Sequence, residues 1–296
     1  MADISSFAPR RGMARSVGSF LIRAAAQTLG RNRVVRAARF FANEARLDCP
    51  NFASLNGELA LQEDFLQTWT GDSPVVAFDV GANLGTWTTA FAQQARSRNL
   101  PVLIHAFEPA PDTFAALSQN LAAAQLDREV IANRLALSNA PGQSMLHSPG
   151  SLAGRASLYE LRREDSERQI HVPVEKETVN WYCERARVQR VDFLKIDAEG
   201  HDCFVIAGAI EKCRRHEIAL IQFEYNHRWI EARQYLRDAF DLLLPLGYVL
   251  AKITPLGLEV YGRWHHELES FREANFVAVL PDVLPRLRTI PNWLDA

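Results

Sequence analysis

The stretch that most constrains this chain is Val75 to Gly85, VVAFDVGANLG. A short apolar run carries one acid near its end, Asp79, and is followed by Gly81 and Gly85. A second apolar run, Val102 to Phe107, comes next and ends in Glu108-Pro109. A strand, a glycine turn, a helix and a second strand capped by an acid make one nucleotide-binding half-unit of a parallel α/β sheet. Gly81 and Gly85 lack Cβ, so the backbone there can turn sharply and a ligand can lie against it. Glu108, at the carboxyl end of the second strand, can accept hydrogen bonds from both hydroxyls of a ribose.

Spacing narrows the ligand. A dinucleotide site needs G-x-G-x-x-G, with a pyrophosphate at the helix N-terminus. Gly81-Ala82-Asn83-Leu84-Gly85 is G-x-x-x-G, preceded by Asp79. An acid there repels phosphate and suits a ligand that carries an ammonium group and no phosphate, such as S-adenosylmethionine. Close strand–helix packing uses the same glycine spacing, and the flanking Asp79 and Glu108 favour the cofactor.

Strand-like and helix-like segments alternate through most of the chain. Apolar runs at Val75–Val80, Val102–Phe107, Val191–Ile196 and Ile218–Phe223 have the continuous character of buried parallel strands. Val130 to Leu137 reads as a third strand region, and Tyr248–Ile253 and Asn275–Leu280 as closing strands, with Leu258–Tyr261 a hairpin partner. Helices are expected over Thr86–Arg96, from Pro111 onward, over Glu177–Ala186 and from Trp229 to Leu244. Residues 143–175 break this rhythm and read as a loop excursion, either a substrate-binding lid or a surface insertion. The pattern predicts a doubly wound, mostly parallel sheet. Its three parts are an N-terminal helical extension over 1–70, a cofactor-binding domain over 71–285 and a tail over 286–296.

In such a sheet the ligand lies beyond the carboxyl ends of the strands. The residues expected to converge are Asp79–Gly85, Glu108-Pro109, Ser138-Asn139, Asp197–His201 and Glu224–Asn226. His201 is the first candidate general base, because an unperturbed imidazole titrates near neutrality, and Glu199 is the second. Asp197, Glu224 and Asn226 form an alternative oxygen set for a hard divalent ion such as Mg²⁺. His265-His266-Glu267 reads as a surface loop.

The sequence has 296 residues, 48% hydrophobic and 23% charged, ample for one large domain with a sizeable core. A net charge of −2 leaves no global footprint for nucleic acid. Cys49, Cys183, Cys203 and Cys213 show no C-x-x-C pairing and are expected to be reduced thiols of a cytoplasmic protein. The first 48 residues differ, with nine arginines against three acids. Three readings of this segment stay open. It is a solvated accessory helix, a basic amphipathic element making peripheral contact with an anionic membrane, or a transit peptide.

The set VVAFDVGANLG, AFEPAPDTFAALSQNL, ALSNAPG, VDFLKIDAEGHD and IQFEYN resembles the FkbM family of S-adenosylmethionine-dependent methyltransferases, over roughly residues 55 to 285. The resemblance implies a class I methyltransferase (Rossmann-like) fold, a seven-stranded sheet with one antiparallel strand. It also implies O-methylation of a hydroxyl on a sugar, glycan, glycolipid or natural product. By it, Asp79, Gly81, Asn83 and Gly85 line the methionine end of the cofactor and Glu108 holds the ribose. Pro109 and Ser138 lie near the adenine, and Asp197, Glu199 and His201 face the reacting centre. The family's T-L-D triplet is Thr178-Val179-Asn180 here, with an amide in place of the acid. Two alternatives remain: aminopropyl transfer on the same fold, and a non-catalytic S-adenosylmethionine-binding protein.

Overall fold

The computed structural model describes residues 10–48, 52–70, 73–148, 157–158 and 170–294. The chain divides into two compact units, Met1–Cys49 and Pro50–Ala296. The first unit holds α1 (Arg10–Leu29) and α2 (Arg31–Ala45), which pack against each other. They part at Gly30, whose φ of 89° lies outside the helical region. No residue of α2 is buried.

The second unit opens with α3 (Glu58–Gln67), β1 (Val75–Val80), α4 (Thr86–Ser97), β2 (Val102–Phe107), α5 (Pro111–Ala123) and β3 (Val130–Asn133). Then come β4 (Ala136–Leu137), β5 (Gly142–Ser148), β6 (Ile170–Glu177), α6 (Val179–Ala186), β7 (Val191–Ile196), α7 (Asp202–Gly208) and α8 (Ile210–Arg214). The unit ends with β8 (Ile218–Tyr225), α9 (Leu236–Leu243), β9 (Val249–Thr254), β10 (Gly257–Tyr261), β11 (Ala274–Val279) and β12 (Thr289–Ile290).

One sheet of nine strands has the order β12-β10-β9-β11-β8-β7-β1-β2-β3. The seven strands from β3 to β9 are those the sequence predicts, with β11 antiparallel to both its neighbours. Two more extend the edge beyond seven. β10 returns from β9 as a hairpin, and β12 pairs parallel to β10. The tail expected over 286–296 therefore contributes Thr289–Ile290 to the sheet.

The middle strands are mostly apolar because helices cover both faces. Every residue of β7 and β8 is buried. On one face Phe193 meets Phe65 of α3 and Phe91 of α4, at ring separations of 5.3 and 5.5 Å. On the other, Phe78 and Phe107 pack on Tyr182 of α6. Burying each such side chain contributes about 1.5–3 kcal/mol. Leu61, Phe65 and Leu66 of α3 belong to this core. The compact unit thus begins at Pro50, not at residue 71.

Three local expectations are corrected. The excursion over 143–175 is bounded by β5 and β6, an antiparallel pair that joins β4 in a separate three-stranded sheet. Leu146 and Val174 pack with Ala110 and Ala136 in a small second core. Pro173 is tolerated because β4 pairs only with Lys176 and Glu177, leaving β6 an edge at that point. The third strand region is split, with Val130–Asn133 in the large sheet and Ala136–Leu137 in the small one. The helix expected from Trp229 begins only at Leu236, where Asp238 accepts from the Tyr235 N–H at 2.8 Å and caps the turn.

Buried Cys183, Cys203 and Cys213 are free thiols, and Cys49 lies outside the described residues. Burial pushes the Cys183 and Cys213 thiols up to about 12, so neither is a thiolate at neutral pH. No described helix is long and apolar enough to cross a membrane.

Gly208 ends α7 against the loop after β4. A Cβ there would stand 2.0 Å from the Ser138 carbonyl oxygen. Gly208→Ala is expected to destabilise the protein by about 1–3 kcal/mol through overpacking. The check is the urea midpoint, and an unchanged midpoint would contradict this packing.

Candidate active site

β1 and β7 run parallel, and the order in which strands are added to the sheet reverses between them. From β1 the strands step outward through β2 to β3, and from β7 outward through β8. Such a switch point opens a crevice at the carboxyl ends of the strands. Register sets what meets there. Val80 stands opposite Phe107 on one side and Ile196 on the other. Gly81, Glu108 and Asp197 are therefore each one residue past a strand end. Backbone hydrogen bonds tie these ends: Gly81 N–H to Phe107 O at 3.0 Å, Asp197 N–H to Val80 O at 2.9 Å and Glu108 N–H to Asn133 O at 3.0 Å.

Beneath the crevice lies a buried ion pair. Asp79 and Lys195 are register partners on β1 and β7. Lys195 Nζ lies 3.0 Å from Asp79 Oδ1 and 3.5 Å from Asp197 Oδ2. It also donates to Gly81 O at 3.4 Å. Thr88 of α4 donates to the other Asp79 oxygen at 2.6 Å. Burial alone would lower the Lys195 pKa, but the Asp79 and Asp197 carboxylates outweigh it and raise it. This lysine stays charged.

The cavity above holds about 700 Å³ of empty space, part of it open to solvent, within the range of small-molecule sites. Its polar wall is Gly81, Asn83, Glu108, Thr113, Asp197, Glu199 and His201. Its apolar wall includes Pro109, Leu135, Leu137, Leu146 and Leu158. Gly81 has φ 74°, and a Cβ there would sit 1.9 Å from the Asp197 carbonyl oxygen, so no other residue lets the two strand ends approach.

These walls fit S-adenosylmethionine. Each Glu108 carboxylate oxygen accepts one backbone N–H, from Asn83 at 3.0 Å and from Ala110 at 2.9 Å. Lone pairs remain for ribose hydroxyls. Burial raises the Glu108 pKa, while those two N–H groups lower it. Asn83 holds a left-handed φ of 48°, and its buried Oδ1 has no hydrogen-bond partner among the described residues. An unpaired buried acceptor calls for a donor from a ligand, and an ammonium group is one. The leucines offer the flat apolar contact an adenine needs.

Asp197, Glu199 and Glu224 can each bring one carboxylate oxygen within 4.8 Å of the others. Arg228 Nε reaches Glu199 Oε2 at 3.0 Å. Burial, then the Asp197 charge, lifts Glu199 to about 8, with Arg228 opposing. Burial, then the Asp197 and Glu199 charges, raise Glu224 well above the usual carboxylate range. Asp202, which accepts from the N–H groups of Ala198 and Gly200, is raised to about 7. Were a divalent ion to bind here, Asp197, Glu199 and Glu224 would be its ligands. Asn226 would not join them. Its Nδ2 donates to Glu224 at 2.6 Å and its Oδ1 accepts from the Arg228 N–H at 2.8 Å, so both ends of the amide are committed.

Seven of the residues singled out from sequence converge on the cavity: Gly81, Asn83, Glu108, Pro109, Asp197, Glu199 and His201. Asp79, Gly85, Ser138, Glu224 and Asn226 do not line it. Asp79 is wholly buried below the floor. Gly85 starts α4, where a Cβ would press on Leu117 at 2.8 Å, a packing role. Ser138 stands behind His201, with its Oγ 2.9 Å from His201 Nε2. That histidine also stacks on Phe204, and burial lowers its pKa to about 4. Asn180, in place of the family acid, accepts from the Lys212 N–H on α8. Sequence reading missed Thr113, Leu146, Leu158 and Arg228. Thr113 sits two residues after the opening Pro111, a visible clue, whereas nothing local marks Arg228.

No protein of curated function matches the sequence. Among solved structures, the methyltransferase FkbM from Methylobacillus flagellatus KT is 11% identical, with a TM-score of 0.44 over 73% of this chain and 47% of that one. The chain thus spans about half the length of that protein. A precorrin-6y C5,15-methyltransferase from Geobacter metallireducens GS-15 is 11% identical, with a TM-score of 0.40 over 75% of this chain and 87% of that one. An rRNA methylase from Streptococcus thermophilus is 10% identical, with a TM-score of 0.37 over 74% and 93%. The model of the methyltransferase FkbM domain matches residues 79–250, more than half of the chain and a span that holds every residue lining the cavity. The chain belongs to the FkbM family of S-adenosylmethionine-dependent methyltransferases.

Proposed function

We propose that this chain methylates a hydroxyl oxygen of a small-molecule or glycan acceptor, and that Glu199 takes the hydroxyl proton. The observation that carries this reading is a cavity-wall carboxylate whose pKa is lifted to about 8. A general base works best when its pKa lies near the working pH. His201, the first candidate from sequence, is less suited. Its Nε2 is engaged with Ser138, and its pKa of about 4 makes it a weak base.

S-adenosylmethionine supplies an electrophilic methyl on a sulfonium. The protein supplies placement and proton removal. Glu108 and the Asn83 Oδ1 are the cofactor's anchors, and the leucine walls exclude water from its ring. Asp197, held by Lys195, sets a negative field beside the acceptor. Arg228 holds the Glu199 carboxylate toward the cavity. Alignment of this kind is worth up to about 7–11 kcal/mol of the barrier.

A second reading draws on the three clustered carboxylates. They also suit a cationic amine acceptor, including a polyamine in aminopropyl transfer. The mass of the product separates the two, since methyl adds one carbon and aminopropyl three.

Two experiments test the first reading. In calorimetric titration, Glu108→Ala is expected to weaken S-adenosylmethionine and its demethylated product by about 10- to 150-fold, the worth of hydrogen bonds to a charged group. Equal affinity in a well-folded variant would remove Glu108 from the site. For Glu199 the carboxylate is the active form, so the rate rises with pH and levels off above about 8. Glu199→Gln is expected to lower kcat by about 10²–10⁴-fold and to abolish that rise while cofactor binding persists. A wild-type profile flat from neutral to alkaline pH would exclude Glu199 as the base.

A further inference from the structure

We infer that the α1–α2 helical pair is an adsorption element for an anionic lipid surface. Its large apolar side chains are turned outward, not inward. Phe20 and Phe41 are each 70% exposed, Ile22 and Phe40 60%, Leu21 59% and Val17 55%. The half-buried residues of α1 are small, Gly18 and Ala24 to Ala26. A globular helix buries its large residues and exposes its small or polar ones, so this pair is built the other way round.

The charge says what covers it. Across residues 17–48 six arginines stand against two acids, Glu44 and Asp48. Arg46 is paired with Asp48. Arg23, Arg31, Arg33, Arg36 and Arg39 have no ion pair among the described residues. On α2, Val34, Val35, Ala38, Phe41 and Ala42 share one side at helical spacing, and Arg33, Arg36 and Arg39 lie toward the other. Exposed aromatic and aliphatic side chains beside guanidinium groups match the two layers of an anionic bilayer, acyl chains and phosphates. Neither α1 nor α2 is apolar enough to cross it, so the pair lies in the interface. Nucleic acid would satisfy the arginines but would leave the phenylalanines in water. A second copy of this chain would bring like charges together.

The test is sedimentation of the full chain with phosphatidylcholine vesicles, with and without phosphatidylglycerol, and in parallel with single-stranded RNA. Binding is expected only to the phosphatidylglycerol vesicles and is expected to fall with salt. Arg33→Gln with Arg36→Gln should weaken it roughly thirtyfold, at about fivefold per removed charge. Phe41→Ser should weaken it about tenfold, with the circular dichroism and cofactor affinity of the parent. These residues are exposed and outside the cavity, so loss of folding does not confuse the result. The proposal is overturned if no vesicle binds, if neutral and anionic vesicles bind equally, if RNA binds more tightly, or if the pair drives dimerisation instead.

Discussion

The buried contact between Asp79 and Lys195 organises the catalytic end of this protein. Taking two charges out of water costs several kcal/mol per ion. Here the cost is offset by close pairing and by further partners on each side. Thr88 satisfies the second Asp79 oxygen, and the Gly81 carbonyl and Asp197 share the ammonium. One cation thereby ties β1, β7, the first turn of α4 and the glycine turn together at the point where the strand order reverses. Removing either partner would leave a lone buried charge, a loss of about 3–5 kcal/mol. The pair also sets polarity. A fully buried positive charge beneath the floor permits a carboxylate at the mouth.

Above that floor the protein gathers several acids. Lys195 serves Asp197 and Arg228 serves Glu199, while Glu224 and Asp202 lie close by. Carboxylates crowded in a partly dry site respond by holding protons. The raised values of Glu199 and Asp202 are that response. The same crowding that is unfavourable for folding produces a group able to exchange a proton near neutral pH. Glu199 also holds a left-handed φ of 53°, a conformation that costs energy for a residue with a side chain and that clusters at functional sites.

Much of this was legible from residues in a row. The run VVAFDVGANLG marked a strand, a turn and a helix, because continuous apolarity and glycine spacing are local properties. The acid after the second strand pointed to Glu108, and KIDAEGH pointed to Asp197 and Glu199. What misled the reading was the inference from type to position. Asp79 and Gly85 belong to the same motif as Gly81 and Asn83, yet the pleat turns Asp79 downward to Lys195, and Gly85 faces Leu117. Alternation along β6, with Val172 and Val174 inward, was hidden by Pro173 and by the long stretch before it. His201 was favoured on its unperturbed pKa, a quantity that burial overrides.

The sequence by itself determined the fold class, the location of the crevice at the strand ends and the family, because strand periodicity, turn glycines and strand-end acids are written within a few residues of one another. Only the tertiary structure decided which of those acids face the cavity, which are ion-paired beneath it and which hold a proton. Those outcomes depend on Lys195 and Arg228, on burial, and on neighbours brought from distant parts of the chain. A pKa is a property of surroundings, and surroundings exist only once the chain has folded.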